Sequence, residues 1–281
     1  MGHLRRGVVA LLLLLLVGCS STTFFYNRLD HLLPWYIERY VDLDRSQRRL
    51  LDAQLAPVLS WHRRKELPRY AVLLDEFRAA LDQPVTAATL QYFSEGMEDA
   101  WERLRDRSTE ELLALGSDLS DEQVQEFLSY LDRRQDKLED KYLSRDDDEF
   151  YDDTLDDMRD FAQDYLGRLN RQQRQDLEQA VRSLHRTDRD WLTERAQGIA
   201  LLRGEQSRRA GWQERVRVLV QDWESRVPPE SQRRYDHNSA VMHEALAALI
   251  DGRSEKQDRR LRRRLDSLKE DFEQLIAQAT D

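Results

Sequence analysis

The sequence has almost nothing with which to staple itself together or to run familiar chemistry. Its one cysteine, Cys19, can form no intrachain disulfide and no CxxC metal site. Glycine and proline are sparse, at 10 and 6 residues, and no phosphate-cradling glycine loop, dinucleotide fingerprint or G-x-S-x-G elbow occurs. No segment sustains the apolar–polar alternation with β-branched residues that a strand needs, so essentially no sheet is expected. Long apolar runs are also missing. The exception, Val8 to Val17, is far shorter than the roughly 20 residues a helix needs to cross a bilayer.

Charge is what the sequence has in quantity. Hydrophobic residues at 40% and charged residues at 35% are the mix of long, solvent-washed helices. A formal charge of −10 excludes bulk attraction to nucleic acid or anionic lipid, so no nucleic-acid partner is expected.

Arg5 and Arg6 precede the apolar run, and Leu16-Val17-Gly18-Cys19 closes it. This ending resembles the bacterial lipobox, in which the cysteine thiol takes a diacylglycerol and cleavage then makes that cysteine the first residue. The basic start, short apolar core, small residue before Cys19 and polar residues after it argue against an ordinary leader with a chance cysteine. The resemblance implies a signal peptide over 1–18, a lipidated tether over 19–26 and a single helical periplasmic domain over 27–281. Several acyl chains on Cys19 would hold the protein to a membrane essentially for good. Ser20 rather than Asp follows Cys19, which by analogy with lipoprotein sorting implies the periplasmic face of the outer membrane, with the inner membrane as the lesser alternative. Loss of 1–18 leaves 42 basic against 54 acidic residues.

Apolar positions recur at helical spacing through the rest of the chain. Tyr70, Leu74, Phe77 and Leu81 form one stripe; Trp212, Val216, Leu219 and Trp223 form another; Leu261, Leu265, Leu268, Phe272, Leu275 and Ala279 form a continuous seam. Breaks are expected at Pro34, Gln83-Pro84, Gly116 to Asp118, near Ser144, at Gly167, from Gly204 to Gly211, at Val227 to Pro229 and at Asp251-Gly252. Pro57 and Pro68 should kink or divide their helices. The sequence thus predicts an all-α, multi-helix bundle of roughly eight or nine helices, some kinked by proline.

Three helix starts echo one another: Leu43-Asp44-Arg45-Ser46-Gln47, Leu119-Ser120-Asp121-Glu122-Gln123 and Leu169-Asn170-Arg171-Gln172-Gln173. Each has the composition of a capping box, in which the N-cap side chain and the glutamine satisfy each other's backbone amides. These Leu-x-x-x-Gln starts are similar to the LTxxQ signature of the Spy/CpxP-like periplasmic stress proteins, a resemblance that implies a helical cradle for unfolded clients. The threonine of that signature is Asp, Ser or Asn here.

A second resemblance rests on Asn27-Arg28-Leu29-Asp30-His31-Leu32-Leu33-Pro34-Trp35-Tyr36, Val41 to Asp44, Trp61-His62-Arg63-Arg64 and Leu67 to Tyr70. These stretches resemble an uncharacterised family of proteobacterial lipoproteins defined only as a domain of unknown function. That likeness implies location and an all-helical fold, and it supplies no chemistry.

The histidines after the leader are His31, His62, His185, His237 and His243. None has the i, i+4 partner and glutamate of a helical zinc protease. His62 lies on the stripe Leu51, Leu55, Val58, His62, the setting of a satisfied, partly buried histidine. The acidic run from Ser144 to Asp160 lacks the sixth-position glycine and closing glutamate of an EF-hand. Ser144 with Asp147 suggests a capped helix start, with acids gathered at the positive end of the dipole. No catalytic, cofactor or metal residue is therefore assigned. The alternative class is a metal-binding protein or enzyme using His62 or the acidic run, Asp146 to Asp160.

Phe24, Phe25, Tyr26, Trp35, Tyr36 and Tyr40 crowd the region after Cys19. Interfacial and core readings compete for them, with core favoured for Trp35 and Ile37 and a short tether for Ser20 to Phe25. The expected function is that of a membrane-anchored binding or scaffold module for another envelope protein, without catalysis. A Spy-like holdase is the alternative.

Overall fold

A computed structural model describes residues 21–278. Cys19 and the leader lie outside this range, so the expected signal peptide and lipidation site do too. The described residues are helical, with no strand among them: α1 (Ser21–Tyr26), α2 (Leu29–Ile37), α3 (Arg45–Trp61), a π turn (His62–Glu66), α4 (Leu67–Ala80), α5 (Ala87–Asp118), α6 (Asp121–Leu143), α7 (Asp147–Leu166), α8 (Arg171–Arg182), α9 (Asp188–Gly204), α10 (Trp212–Gln221), a short 3-10 turn (Glu224–Arg226), α11 (Pro229–Asp251) and α12 (Glu255–Ala277).

There are more helices than the eight or nine expected, for identifiable reasons. Pro34 sits inside α2, so the break falls later, between Ile37 and Arg45. A further break, Ser183 to Thr187, carries neither glycine nor proline and left no punctuation to read. The segment expected to be a tether is helical from Ser21, and Tyr26 at its end is buried. Pro57 is accommodated within α3. Pro68 stands at the second position of α4, directly after the wider π turn that absorbs the change of register its missing N–H demands. The acidic run begins its helix at Asp146 rather than Ser144: the Asp146 side chain accepts from the Glu149 amide, while the Ser144 hydroxyl donates to the carbonyl of Asp140 in the preceding helix.

The chain divides into two compact units, each stitched from three stretches. The first contains residues up to Glu66, Ala100–Ser144 and Asp188–Pro228; the second contains Leu67–Asp99, Arg145–Thr187 and Pro229–Asp281.

In the first unit α2 packs on α3, and α6 on α9. Gln135 of α6 donates to the carbonyl of Leu192 at 3.0 Å and accepts from Arg195 at 2.7 Å, tying those two helices through a buried amide. Gly198 lets Trp223 close on α9: a Cβ there would lie 2.8 Å from the indole. Arg208, the one non-glycine residue with positive φ among those described, turns its guanidinium onto the carbonyls of Gly116 and Leu119 and onto Asp121. It thereby serves acceptors that the end of α5 leaves open.

In the second unit α12 packs on α4 and α7, while α8 packs on α7 and α11. A buried cluster of Leu81, Val85, Ala162, Leu166, Leu169, Leu177, Ala247, Leu249, Leu261 and Leu265 fills the space between them. Leu74 and Phe77 press against it from the side, as their stripe predicts. The seam of α12 is buried at Leu261, Leu265, Phe272 and Leu275. Each such leucine contributes about 1.5–3 kcal/mol by leaving water.

Candidate functional site

The three Leu-x-x-x-Gln starts are capping boxes with both reciprocal bonds formed, at Asp44/Gln47, Ser120/Gln123 and Asn170/Gln173. A fourth occurs at Ser254/Gln257. Sequence reasoning missed it because Arg253 stands where the others have leucine; the Ser-x-x-Gln spacing was the available signal.

The four starts meet in pairs, one pair per unit. In the first unit Gln47 and Gln123 exchange amide hydrogen bonds at 2.8 and 2.7 Å. Gln47 also donates to the carbonyl of Asp118, and Gln123 to that of Asp42, each five residues ahead of the partner glutamine. In the second unit Gln173 and Gln257 exchange the same bonds at 3.3 and 3.0 Å. Gln173 donates further to Leu249, and Gln257 to Arg168. Each glutamine oxygen also accepts from its own N-cap amide. One side chain thus caps its helix and ties it to a second helix end about eighty residues away in sequence. The motif's polar chemistry is consumed inside the fold.

Arg253 makes a different use of the leucine position. Its guanidinium donates to the carbonyls of Leu81 and Ile250 and to Asp258, closing the turn between α11 and α12.

The second candidate centre is the π turn. In a turn this wide, residues four apart point the same way, and both His62 and Glu66 face inward. Burial pulls the His62 imidazole down to about 4, partly opposed by the Glu66 carboxylate. The Tyr26 hydroxyl lies 2.9 Å from its Nδ1, and burial pushes that phenol up to about 12 against the pull of Arg63. Arg63 donates to Asn27 Oδ1 at 2.8 Å. The family-like stretches around Asn27 and Trp61 to Arg64 therefore meet in space. Glu66, fully buried, receives a forked guanidinium from Arg103 at 2.9–3.1 Å.

The acidic run of α7 is an arginine-answered face. Asp147 pairs with Arg186, Asp148 and Asp152 with Arg182, Asp153 with Arg145 and Asp156 with Arg159. Arg182 also stacks over Tyr151, and Arg145 and Arg186 over Phe150. Nearby, the exposed rings of His185 and His237 stack at 4.2 Å. Asn238 fixes that arrangement by bonding both the amide and the carbonyl of His185. His31 is exposed beside Asp30, and burial lowers His243 against the opposing pull of Glu95. No group of three or more metal-ligating side chains occurs among the described residues, and none of their helices is long and apolar enough to cross a membrane.

Trp35 departs from expectation. It is exposed rather than core, because Pro34 is the buried residue of α2 and Trp35, one position on, is turned about 100° away from that buried side.

The model of a family of unknown function, DUF6279, matches residues 39–234. The chain belongs to that family. The match takes in the π turn, the acidic helix and three of the four glutamine capping boxes, and it ends within α11. No curated protein and no solved structure matches the chain.

Proposed function

We propose that the protein is a lipoprotein of the cell envelope, held to the periplasmic face of the outer membrane through Cys19, and that it works by binding another envelope protein rather than by catalysis. The observation that carries the anchor is the placing of the sole cysteine at the end of a ten-residue apolar run, behind Leu16-Val17-Gly18 and ahead of Ser20. Support for binding over catalysis comes from how the two ionisable groups of the π turn are spent: Glu66 on the Arg103 fork, and His62 as a neutral ring against Tyr26.

Mass spectrometry of the native protein should find Cys19 as an acylated first residue in the outer-membrane fraction, and crosslinking in the intact envelope should trap a defined protein adduct. A bare thiol with the leader still attached would refute the anchor. The Spy-like holdase is favoured by the repeated Leu-x-x-x-Gln starts. It requires the purified protein to suppress aggregation of an unfolded client at stoichiometric amounts, and failure to do so removes it.

A further inference from the structure

Ten large hydrophobic side chains are exposed among the described residues, and five of them fall between Phe24 and Tyr36. Phe24 is 49% exposed, Phe25 51%, Leu32 38%, Trp35 58% and Tyr36 49%; the other five are scattered from Val72 to Val218. The concentration matters, since single exposed apolar residues are ordinary whereas a cluster marks a surface that is covered in use.

The platform beneath this cluster is fixed. Thr22 and Tyr26 of α1 are buried, Tyr26 reaches His62, Asn27 is held by Arg63, and α2 packs on α3. Phe24 and Phe25 meet edge to face at 5.5 Å. The Arg28 guanidinium lies 3.4 Å from the centre of the Phe24 ring, and that of Arg39 lies 5.5 Å from the Trp35 ring. Aromatic rings with a cation drawn over them, and with Tyr36 presenting a hydroxyl that bonds Tyr40 at 2.8 Å, suit a boundary that is oily on one side and polar on the other. Trp and Tyr concentrate at that depth of a bilayer, while arginine lays its stem along apolar surface and keeps its head among polar groups.

We infer that the exposed aromatic face of α1 and α2 seats in the headgroup layer of the leaflet that holds the Cys19 acyl chains. This inference rests on the anchor proposed above. Phe24 follows Cys19 by five residues, a span of at most about 18 Å at full extension. The layer to be entered is about 5–7 Å thick on each side of the hydrocarbon. A lipid at Cys19 thus delivers the face to the one surface that its chain length cannot avoid. The acyl chains supply attachment; the aromatic face supplies orientation, pressing the α1–α2 end against the leaflet.

The test uses the native full-length protein in vesicles of phosphatidylethanolamine and phosphatidylglycerol whose upper acyl carbons carry bromine, a short-range quencher of indole. Of the six tryptophans only Trp35 is among the exposed large side chains, so it should carry the quenching. Wild-type fluorescence should fall in brominated vesicles, Trp35→Phe should lose most of that fall, and Tyr92→Phe, at an exposed aromatic elsewhere, should leave it unchanged. Since Trp35 is exposed, its replacement by phenylalanine leaves the fold intact, which circular dichroism checks. An acylated protein that shows no quenching overturns the inference, and so does quenching that survives Trp35→Phe. Mass spectrometry of the same sample separates the two ideas. A bare Cys19 defeats the anchor, and quenching of that same protein with added vesicles still decides whether the face enters lipid.

Discussion

The two units use the same knot and surround it differently. In the second, Gln173 and Gln257 are both buried and stand beside an all-aliphatic cluster containing Leu169, Leu177, Leu249 and Leu261. In the first, Gln47 is buried but Gln123 is only half so, and the unit holds the buried Glu66 under the Arg103 fork, the His62–Tyr26 contact and the half-buried Tyr40–Tyr130 pair at 4.6 Å, where the second unit has Asp271 and Tyr70 as its buried ionic and aromatic-polar side chains. The same hydrogen-bond pattern is therefore compatible with two kinds of interior. A reciprocal amide pair needs only its own four bonding groups to be answered, and it places no demand on what lies beyond them.

The contrast breaks most directly in the aliphatic cluster. Leu177→Ala, at one of the most deeply buried positions, removes transfer energy and leaves a cavity, and should cost about 2–5 kcal/mol, read as a lowered urea midpoint. A cost below that of a surface substitution would mean that the cluster is not the interior of its unit.

The first unit should instead be the acid-sensitive one at His62. Its imidazole titrates near 4 when folded and near 6.5 when unfolded, so on acidification the unfolded chain takes the proton first. The stabilisation is fully present above about pH 6.5 and is lost as pH falls through about 4, amounting to roughly 3 kcal/mol. His62→Gln should flatten that part of the stability–pH profile, which urea titrations at a series of pH values would show.

The smallest effect sharpens the comparison of the knots themselves. Gln257→Leu strands the amide of Gln173 and the carbonyl of Arg168 in a buried setting and should cost about 1–3 kcal/mol. Gln123→Leu, which frees the carbonyl of the exposed Asp42 and leaves Gln47 still bonded to the Asp118 carbonyl and the Asp44 amide, should cost about 1 kcal/mol or less. Equal costs would show that the two surroundings do not differ in what they demand of the pair.

Local chemistry was legible in the sequence and distant pairing was not. Capping boxes at Asp44, Ser120 and Asn170, and the stripes of α4, α10 and α12, follow from residues within one or two turns of each other. The break after Arg182 was invisible because its turn is held from afar, by Asn238 on α11. Gln47–Gln123 and Gln173–Gln257 were equally hidden, since nothing in a glutamine that caps its own helix says which other helix end it will also serve. Trp35 was misjudged because neighbouring leucines do not reveal which side of a nine-residue helix is packed, a question decided by the buried Pro34. The acidic run was read correctly as a capped helix start, but its cap is Asp146 rather than Ser144. Its arginine partners at 182 and 186 lie beyond the reach of any local pattern.

Because each unit is assembled from three separate stretches, and the single helix α5 gives its first part to one and its last part to the other, no contiguous fragment of this chain contains a whole unit without part of the other. Deletion mapping, the usual way to assign a binding activity to half of a protein, therefore cannot isolate either half: even a cut after Glu66 or after Pro228, which spares one unit, leaves part of the other attached to it. Point substitutions at the knots are the tools that can tell the halves apart.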